Sequence, residues 1–439
     1  MKKYTLFIFL VLLLLHFPFL VADPDSQISF SRDAFTDEGL YTSQVRNYIL
    51  TDTFNLYESD AAIKTPAFSF LMFVAFKIFG IHHEIARLTV LLLSLAVAYF
   101  VFRKDIWLTV LMVAITFLQY TVFQYMHYSL AEFVAVSCLL SSWYFLSNTH
   151  LKVTIQKRIF FACLFVSLAF WIKFQYLYML AWPVGFYILN LIYVALLRKK
   201  EWKSILTQLL FSFGFTILFL IIYLLTWYLP NKDFFEYVIN SQTAVVFGEG
   251  EWFRKMIDFN ITHFFLNDNV SPLTGLFLIC LLISPLVLYR YRHDEKVVLQ
   301  ILAVFAWCAL EVHKPALAYL PGRYLISPFF AMGLFSSLVI KGLCFMVSAQ
   351  RFRIVLVAIG VCWPLVTNIR AYLTVYKNRT YVFEDLNKLN PCIIIAESDE
   401  EDSGFAWKSQ GIDLSKIAHQ RKEFQAGKWK ILVYELNKK

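Results

Sequence analysis

Long apolar segments recur along most of the chain and are separated by short polar stretches. Most are close to the roughly 20 residues that cross a bilayer as a helix. The pattern predicts about eleven spans. They cover residues 4–22, 84–102, 106–125, 130–146, 159–172, 177–197, 205–229, 272–289, 297–310, 324–340 and 354–369. A shorter apolar stretch, 66–80, is predicted to form a re-entrant or interfacial helix.

The amino-terminal segment could be a signal peptide, because two lysines precede the apolar run. However, the run is long enough to span a bilayer, and Leu20-Val21-Ala22 is a poor cleavage site. We therefore predict an uncleaved first span. Clusters of Lys and Arg between the spans all fall on one side, which the positive-inside rule assigns to the cytoplasm. Loops 23–65 and 230–271 are then predicted to lie outside.

The composition changes after about residue 370. Segments 391–396 and 429–434 are predicted to be strands, while 381–389 and 413–419 are predicted to be helices. The predicted fold class is therefore an all-α polytopic membrane protein with a small carboxyl-terminal α/β domain. Residues 1–370 form the transmembrane domain and residues 371–439 the terminal domain, which the span count places outside the cytoplasm.

Composition supports a membrane protein, since 59% of the 439 residues are hydrophobic and only 16% are charged. The net charge of +9 comes from short basic clusters between apolar segments. This pattern orients spans and does not predict a nucleic-acid partner. The seven cysteines contain no CxxC pair, so cysteine chemistry is not indicated.

The acidic pair Asp37-Glu38 follows the first span and opens a stretch with apolar residues at helical spacing, among them Tyr41, Val45 and Tyr48. One interpretation is an active-site surface at the outer side of the membrane, with a carboxylate that accepts a proton. The alternative is structural, because acidic residues are also favoured at the start of a helix.

Several basic residues lie at predicted outer ends of spans. Lys64 and Arg87 could be interfacial anchors, but Lys173 interrupts an apolar sequence, where a buried cation costs at least ~2.5–3.5 kcal/mol. Converging cations would suit a phosphate or pyrophosphate at the level of the lipid headgroups. The candidate binding residues are Lys64, Arg87, Lys173, His313, Lys314, Arg323 and Tyr324.

Other chemistries leave recognisable motifs that this sequence lacks. It contains no GxxxxGK[ST] or GxGxxG cradle for a nucleotide, no HExxH or paired Cys/His spacing for zinc, and no GxSxG elbow of a serine hydrolase. No metal ligand is therefore predicted. No internal repeat suggests a transporter that is built from inverted halves.

The order of these motifs resembles that of the GT-C glycosyltransferases, in particular the protein O-mannosyltransferase and lipid A aminoarabinose transferase branch. The resemblance covers roughly residues 1–345 and is strongest at 30–90 and 311–328. It depends on the order of Asp37-Glu38, Tyr41, Arg46-Asn47, Lys64-x-Pro66, Phe79-Gly80, Ala86-Arg87-Leu88, Lys173, Arg323-Tyr324 and Pro328.

The resemblance implies that residues 1–370 are a GT-C-like catalytic domain of an inverting glycosyltransferase. The donor would be a polyprenyl-phosphate-linked sugar, with Asp37 as the catalytic carboxylate and Glu38 as its partner. Lys64, Lys173 and Arg323 would match positions that hold the lipid phosphate. In the aminoarabinose branch a glutamate before the lysine of Lys-x-Pro helps to hold a metal, but here that residue is Ile63. A divalent cation is thus not supported.

Two other functions are also consistent with the sequence. One is a transporter or flippase of a lipid-linked or anionic solute, and the other is an oligosaccharide ligase that uses a pyrophosphate-linked donor. For the leading hypothesis, the partners are the lipid-linked donor, membrane lipids and an extracytoplasmic acceptor, which could be a cell-envelope glycan, a lipid or a protein. The amino terminus indicates a bacterial inner membrane, with the active site on its extracytoplasmic side.

Overall fold

The computed structural model describes residues 2–21, 37–52, 66–149, 151–197, 202–232, 271–312, 314, 322–346, 358, 362, 373, 392–398, 416, 418–426 and 429–437. Helices dominate the part before residue 347. They are α1 (Lys2–His16), α2 (Asp37–Thr51), α3 (Pro66–Phe79), α4 (His83–Phe102), α5 (Ile106–Met112), α6 (Tyr120–Tyr125), α7 (Ala131–Ser147), α8 (Ile155–Ile172), α9 (Trp182–Leu197), α10 (Trp202–Tyr223), α11 (Ser271–Arg290), α12 (Glu295–Glu311) and α13 (Ile326–Met346).

Short 3₁₀ or π turns extend several of these helices. Phe17–Leu20 continues α1, Val113–Phe117 continues α5, Phe174–Ala181 precedes α9, and Gly322–Leu325 leads into α13. After α10 comes a π turn, Leu224–Tyr228. Such turns satisfy some of the backbone groups that a helix end leaves unpaired.

Seven helical segments in the described part are long and apolar enough to cross a membrane, by length and composition, and three shorter apolar helices accompany them. Every predicted span except 354–369 coincides with a helix of the structure, and that one falls almost wholly outside the described residues. The predicted polytopic all-α fold is confirmed, and the chain is an integral membrane protein. Residues 66–79 are helical as predicted, while their interfacial position stays a prediction.

The bundle is organised around α7, which packs against α4, α8 and α12. Its buried face carries large apolar side chains such as Phe133, Leu139 and Trp143. The close helix contacts require small residues at some positions. A Cβ at Gly333 of α13 would collide with the Thr116 hydroxyl, so this glycine allows α13 to pack directly on the turn after α5.

Local signals explain several helix ends. Asp105 accepts a hydrogen bond from the Leu108 amide at the start of α5, and Asp294 accepts one from the Val297 amide at the start of α12. Gly80 follows α3 with a φ of 86°, a conformation that favours glycine and ends a helix. These caps fix where the polar connections between apolar helices begin.

Three strands form an antiparallel sheet in the order β1-β3-β2, with β1 at Cys392–Ser398, β2 at Ala418–Ala426 and β3 at Trp429–Leu436. Ile395 pairs with Leu432, and Ala426 pairs with Trp429. The predicted strands at 391–396 and 429–434 correspond to β1 and β3.

The sequence missed β2, and the end of the predicted helix 413–419 is wrong, because Ala418 and His419 pair with β3. The mostly polar β2 lacks the alternation that signals a strand. The predicted helix 381–389 lies outside the described residues. β1 lies beside α2, at the end of the bundle where the acidic pair occurs.

Candidate active site

Most of the charged residues identified in the sequence lie close together, near the first residues of helices α2, α4, α7 and α13. Successive residues of a helix point about 100° apart, so Asp37 and Glu38 face different neighbours. Glu38 is fully buried against α4, while Asp37 is partly exposed and faces Arg323. The two adjacent carboxylates therefore lie in different environments.

Glu38 forms a buried ion pair with Arg87, and both side chains are 0% exposed. Arg87 Nε lies 2.9 and 3.2 Å from the two carboxylate oxygens, and its Nη2 lies 2.6 Å from Oε2. Arg87 Nη1 donates to the Phe19 carbonyl at 2.8 Å. The amide and hydroxyl of Ser129 both donate to Glu38 Oε1, at 2.8 and 3.1 Å. This pair therefore ties α2 to the end of the first span, to α4 and to the turn before α7.

Asp37 forms a second ion pair, with Arg323 on the turn that leads into α13. Asp37 Oδ2 lies 2.7 Å from Arg323 Nη1, and the side chains remain 17% and 12% exposed. Arg323 Nε lies 3.7 Å from Oε1 of Glu132, which is 1% exposed. Arg323 thus stands between two carboxylates, one of which keeps access to solvent.

Lys173 is the residue between α8 and the turn before α9, and it is 1% exposed. Its ammonium forms an ion pair with Glu132 and donates a hydrogen bond to the Tyr41 hydroxyl at 2.9 Å. Burial raises the pKa of Tyr41 well above the usual value for a phenol, so the hydroxyl keeps its proton. Glu132 Oε2 has no hydrogen-bond partner within the described ranges, so one oxygen of this buried carboxylate is unused by the protein there.

Lys314 is a third buried cation at this end. Its ammonium lies 5.9, 5.5 and 5.8 Å from the ring centres of Tyr176, Tyr178 and Tyr324, within the range of cation–π attraction. Burial lowers the pKa of Lys314, and the negative charge of Glu311 opposes that shift. Lys173 also lies 5.1 Å from the Tyr324 ring, so Tyr324 stands between the two lysines.

Glu311, at the end of α12, is held by three donors. Tyr178 donates its hydroxyl proton to Oε2 at 3.0 Å, Trp307 donates its indole N–H to Oε1 at 3.3 Å, and the Ser327 hydroxyl also bonds to Oε1. This network connects α12, α13 and the turn before α9. It fixes the tyrosine rings that surround Lys314.

Acids and bases face each other in this cluster. Within the described residues the acids are Asp37, Glu38, Glu132 and Glu311, and the bases are Arg87, Lys173, Lys314 and Arg323. Buried Arg46 of α2 lies nearby and donates to the Gly39 carbonyl at 2.8 Å. An anion that enters the cluster can therefore bind Arg323 or Lys173 only in competition with a carboxylate.

A metal ion does not fit these side chains. Asp37 and Glu132, the carboxylates nearest the centre, are each in contact with a cation, and Arg323 and Lys173 would repel a divalent ion. Nowhere in the described part of the chain do three His, Cys, Asp or Glu side chains come together in a metal-binding group.

Six of the eight residues predicted to carry charge at the site lie in this cluster, together with Tyr324. They are Asp37, Glu38, Arg87, Lys173, Lys314 and Arg323. Lys64 and His313 lie outside the described residues. The structure binds Arg87 to Glu38, so these two form a unit apart from the cations around Tyr324.

Two acidic residues of the cluster were not among the predicted site residues. Glu132 follows a tight turn and is consistent with a charge at a helix start, but the structure buries it against Lys173. Glu311 ends an otherwise apolar helix. Both lie at the edge of an apolar segment, where an acidic residue is rare enough to be considered as a candidate from the sequence. Their burial beside cations is evident only from the structure.

No protein-family model matches the sequence, and no curated protein matches it. The structure is similar to that of ArnT from Cupriavidus metallidurans bound to undecaprenyl phosphate, with a TM-score of 0.49 and 12% identity over 87% of this chain and 75% of that one.

It is also similar to the apo oligosaccharyltransferase of Archaeoglobus fulgidus, with a TM-score of 0.45 and 13% identity over 87% of this chain and 56% of that one.

Proposed function

We propose that the chain is an inverting glycosyltransferase that moves a sugar from a polyprenyl-phosphate donor to an extracytoplasmic acceptor. The observation that carries this proposal is the contact between Asp37 and Arg323, which lie 2.7 Å apart and remain partly exposed beside two buried lysines. A carboxylate that can accept a proton and cations that can hold a phosphate are thus neighbours. These are the two groups that transfer from a lipid phosphate needs.

Asp37 is the general base in this proposal. A nucleophilic hydroxyl of the acceptor attacks the anomeric carbon of the donor sugar and gives its proton to the Asp37 carboxylate. The bond between that carbon and the phosphate oxygen breaks, and the electron pair leaves with polyprenyl phosphate. A single displacement inverts the anomeric centre. No covalent sugar–enzyme intermediate is formed.

Arg323, Lys173 and Lys314 are the proposed phosphate ligands. The leaving polyprenyl phosphate gains negative charge as the bond breaks, and cations in a site of low dielectric constant stabilise that charge. Tyr324 orders the two lysines through its ring. Lys64 and His313 stay predicted members of the same group.

Donor binding and base activation are coupled in this proposal. Because Arg323 is already in contact with Asp37, the donor phosphate competes with Asp37 for the guanidinium. When the phosphate binds Arg323, Asp37 loses that contact and becomes a better proton acceptor. Asp37 would thus be held by Arg323 until the donor is present, which limits unproductive chemistry on water.

Glu38, Arg87 and Glu132 act as positioning residues. The pair of Glu38 and Arg87 is fully buried, so it has no access to an acceptor, and it fixes the start of α2 that carries Asp37. Glu132 orients Lys173. We further propose that residues 1–370 form the catalytic domain and that residues 371–439, whose strand β1 lies beside α2, contact the acceptor from the extracytoplasmic side.

Reconstitution tests this function. The purified protein is placed in liposomes with a panel of undecaprenyl-phosphate sugars and candidate acceptors, and mass spectrometry follows undecaprenyl phosphate and glycosylated product. We expect release of undecaprenyl phosphate with an inverted glycosidic bond. Matched undecaprenyl-pyrophosphate donors test the ligase alternative. Movement of an intact donor across the bilayer without bond cleavage would instead identify a flippase and contradict the proposal.

A further inference from the structure

A polar cavity lies at the other end of the bundle from the cluster around Asp37. It has a volume of about 130 Å³ and is lined by residues of α7, α8, α9, α10 and α12, among them Leu146, Arg158, Tyr187, Asn190 and Glu295. Leu146 is 14 residues along α7 from Glu132, which corresponds to about 21 Å. This cavity is therefore separate from the cluster around Asp37.

Three polar side chains that line it are almost completely buried. Arg158, Tyr187 and Asn190 are 7%, 2% and 7% exposed. Arg158 uses Nε and Nη2 to bond the carbonyls of Phe145 and Leu146 at the end of α7, at 3.3 and 3.1 Å. Within the ranges that the structure covers, its Nη1 has no hydrogen-bond partner, and no carboxylate forms an ion pair with the guanidinium.

The Tyr187 hydroxyl and the Asn190 amide likewise have no protein partner in the described part of the chain. Glu295 on the rim attracts the Arg158 guanidinium without a direct contact. The free polar atoms of the three side chains are accessible from the cavity and are not sealed in the core. They are therefore available to a bound ligand with acceptor oxygens. A phosphate diester matches the guanidinium, the hydroxyl and the amide.

The rim of the cavity carries the opposite charge. Glu295 is exposed at the first position of α12 and lines the same cavity. A ligand that carries only a phosphate would be repelled there, whereas one that also carries an ammonium group would satisfy both charges. The cavity thus offers one positive and one negative group to a ligand that has one of each.

The surroundings point to a lipid as the carrier of this group. Ile205 and Gln208 of α10 line the cavity, while Leu206, Leu210 and Phe213 of the same helix are 37%, 63% and 53% exposed. Acyl chains could lie along this apolar face. The sequence also places a basic cluster, Arg198-Lys199-Lys200, between α9 and α10, which marks this end as the predicted cytoplasmic one.

We propose that this cavity binds a phosphoethanolamine group, with its phosphate on Arg158, Tyr187 and Asn190 and its ammonium on Glu295. The carrier is a phospholipid of the leaflet at that end. The site does not depend on the glycosyltransferase proposal, because none of its residues belongs to the cluster around Asp37. It would stabilise the contact between α7, α8, α9 and α12.

The test uses the full-length protein purified in detergent and its thermal unfolding midpoint. Dioctanoyl-phosphatidylethanolamine should raise the midpoint in a saturable way, and dioctanoyl-phosphatidylglycerol should do so at higher concentrations. O-phosphoethanolamine is the soluble comparison. Stabilisation by the lipid alone supports a membrane ligand. Equal stabilisation by O-phosphoethanolamine would keep the headgroup chemistry but overturn the membrane source.

Three variants test the assignment of each group. Tyr187→Phe and Asn190→Ala should each raise the half-saturating lipid concentration about tenfold, since each loses a bond to a charged group. Glu295→Gln should remove the preference for phosphatidylethanolamine over phosphatidylglycerol. Tyr289→Phe, an exposed tyrosine at the same end, is the matched control and should leave binding unchanged.

Arg158→Gln would also weaken α7, so it is not the deciding variant. Equal stabilisation by the two lipids in the unmodified protein, or unchanged binding in the three cavity variants, would overturn the proposal.

Discussion

Two adjacent carboxylates at the start of α2 enter two different ion pairs. Glu38 and Arg87 are both 0% exposed, and two groups of Ser129 and the Phe19 carbonyl complete their hydrogen bonds. Asp37 and Arg323 remain 17% and 12% exposed, and Arg323 also approaches Glu132. One pair is completely buried, whereas the other keeps some access to solvent.

The comparison separates a structural role from a chemical one within a two-residue motif. A buried and fully hydrogen-bonded pair resists exchange, because either partner left alone would be an uncompensated charge. A pair that keeps some access to solvent exchanges partners at lower cost than a sealed pair, since water and ligands can reach it. Glu38 and Arg87 therefore suit anchoring, while Asp37 and Arg323 suit a site in which a phosphate and a proton are exchanged.

The largest expected effect is on turnover when the pair of Asp37 and Arg323 loses its carboxylate. Asp37→Asn should lower turnover about 10²–10⁴-fold, the usual contribution of general base catalysis. Its thermal midpoint should fall less than that of the Arg87→Ala variant, because the Asp37–Arg323 pair keeps some access to solvent. Initial rates of glycosyl transfer and thermal unfolding measure the two effects.

Asp52→Asn is the matched control, because Asp52 is an exposed carboxylate just after the other end of the same helix. It should retain full activity. Unimpaired transfer by the Asp37→Asn variant would contradict the assignment of Asp37 as the base.

Substitutions in the buried pair of Glu38 and Arg87 should instead change the stability of the protein. Arg87→Ala leaves Glu38 buried and unpaired, which should lower the free energy of unfolding by about 3–5 kcal/mol. The double variant Glu38→Gln/Arg87→Gln should recover part of that loss, and the coupling energy gives the strength of the pair. If Arg87→Ala instead kept its stability and lost donor binding, Arg87 would be a substrate ligand, as the sequence predicts.

Local patterns were enough to predict much of the architecture. Apolar length located the helices, and the interruption at Lys173 fell between α8 and the turn before α9, as predicted. The spacing of Tyr41 and Val45 predicted a helix at α2, whose buried face includes both residues. These features depend on neighbours in the sequence, which a single chain reveals.

Which residues form ion pairs with each other depends on packing between distant segments. The sequence alone could not predict these pairings. Glu38 and Arg87 are 49 positions apart, so nothing local indicated that they bind each other. Glu132 has the pattern of a charge at a helix start, and only the packing of α7 against α8 brings it to Lys173.

A smaller effect is expected when Arg323 is replaced by a cation that lacks the planar guanidinium. Arg323→Lys retains a cation, yet an ammonium cannot contact phosphate through two parallel N–H groups. We expect the KM for the donor to rise about tenfold, with a smaller change in the maximal rate. Donor titrations at saturating acceptor measure this. A change confined to the KM for the acceptor would place Arg323 away from the phosphate.

The smallest effect should come from the contact between Tyr41 and Lys173. Tyr41→Phe removes the hydroxyl that accepts the 2.9 Å hydrogen bond, but Lys173 keeps its ion pair with Glu132. The loss of about 1 kcal/mol corresponds to a roughly fivefold higher KM for the donor. Tyr48→Phe, on the exposed side of the same helix, controls for a general effect on α2. An equal response of both variants would mean that Tyr41 supports the helix and not the position of Lys173.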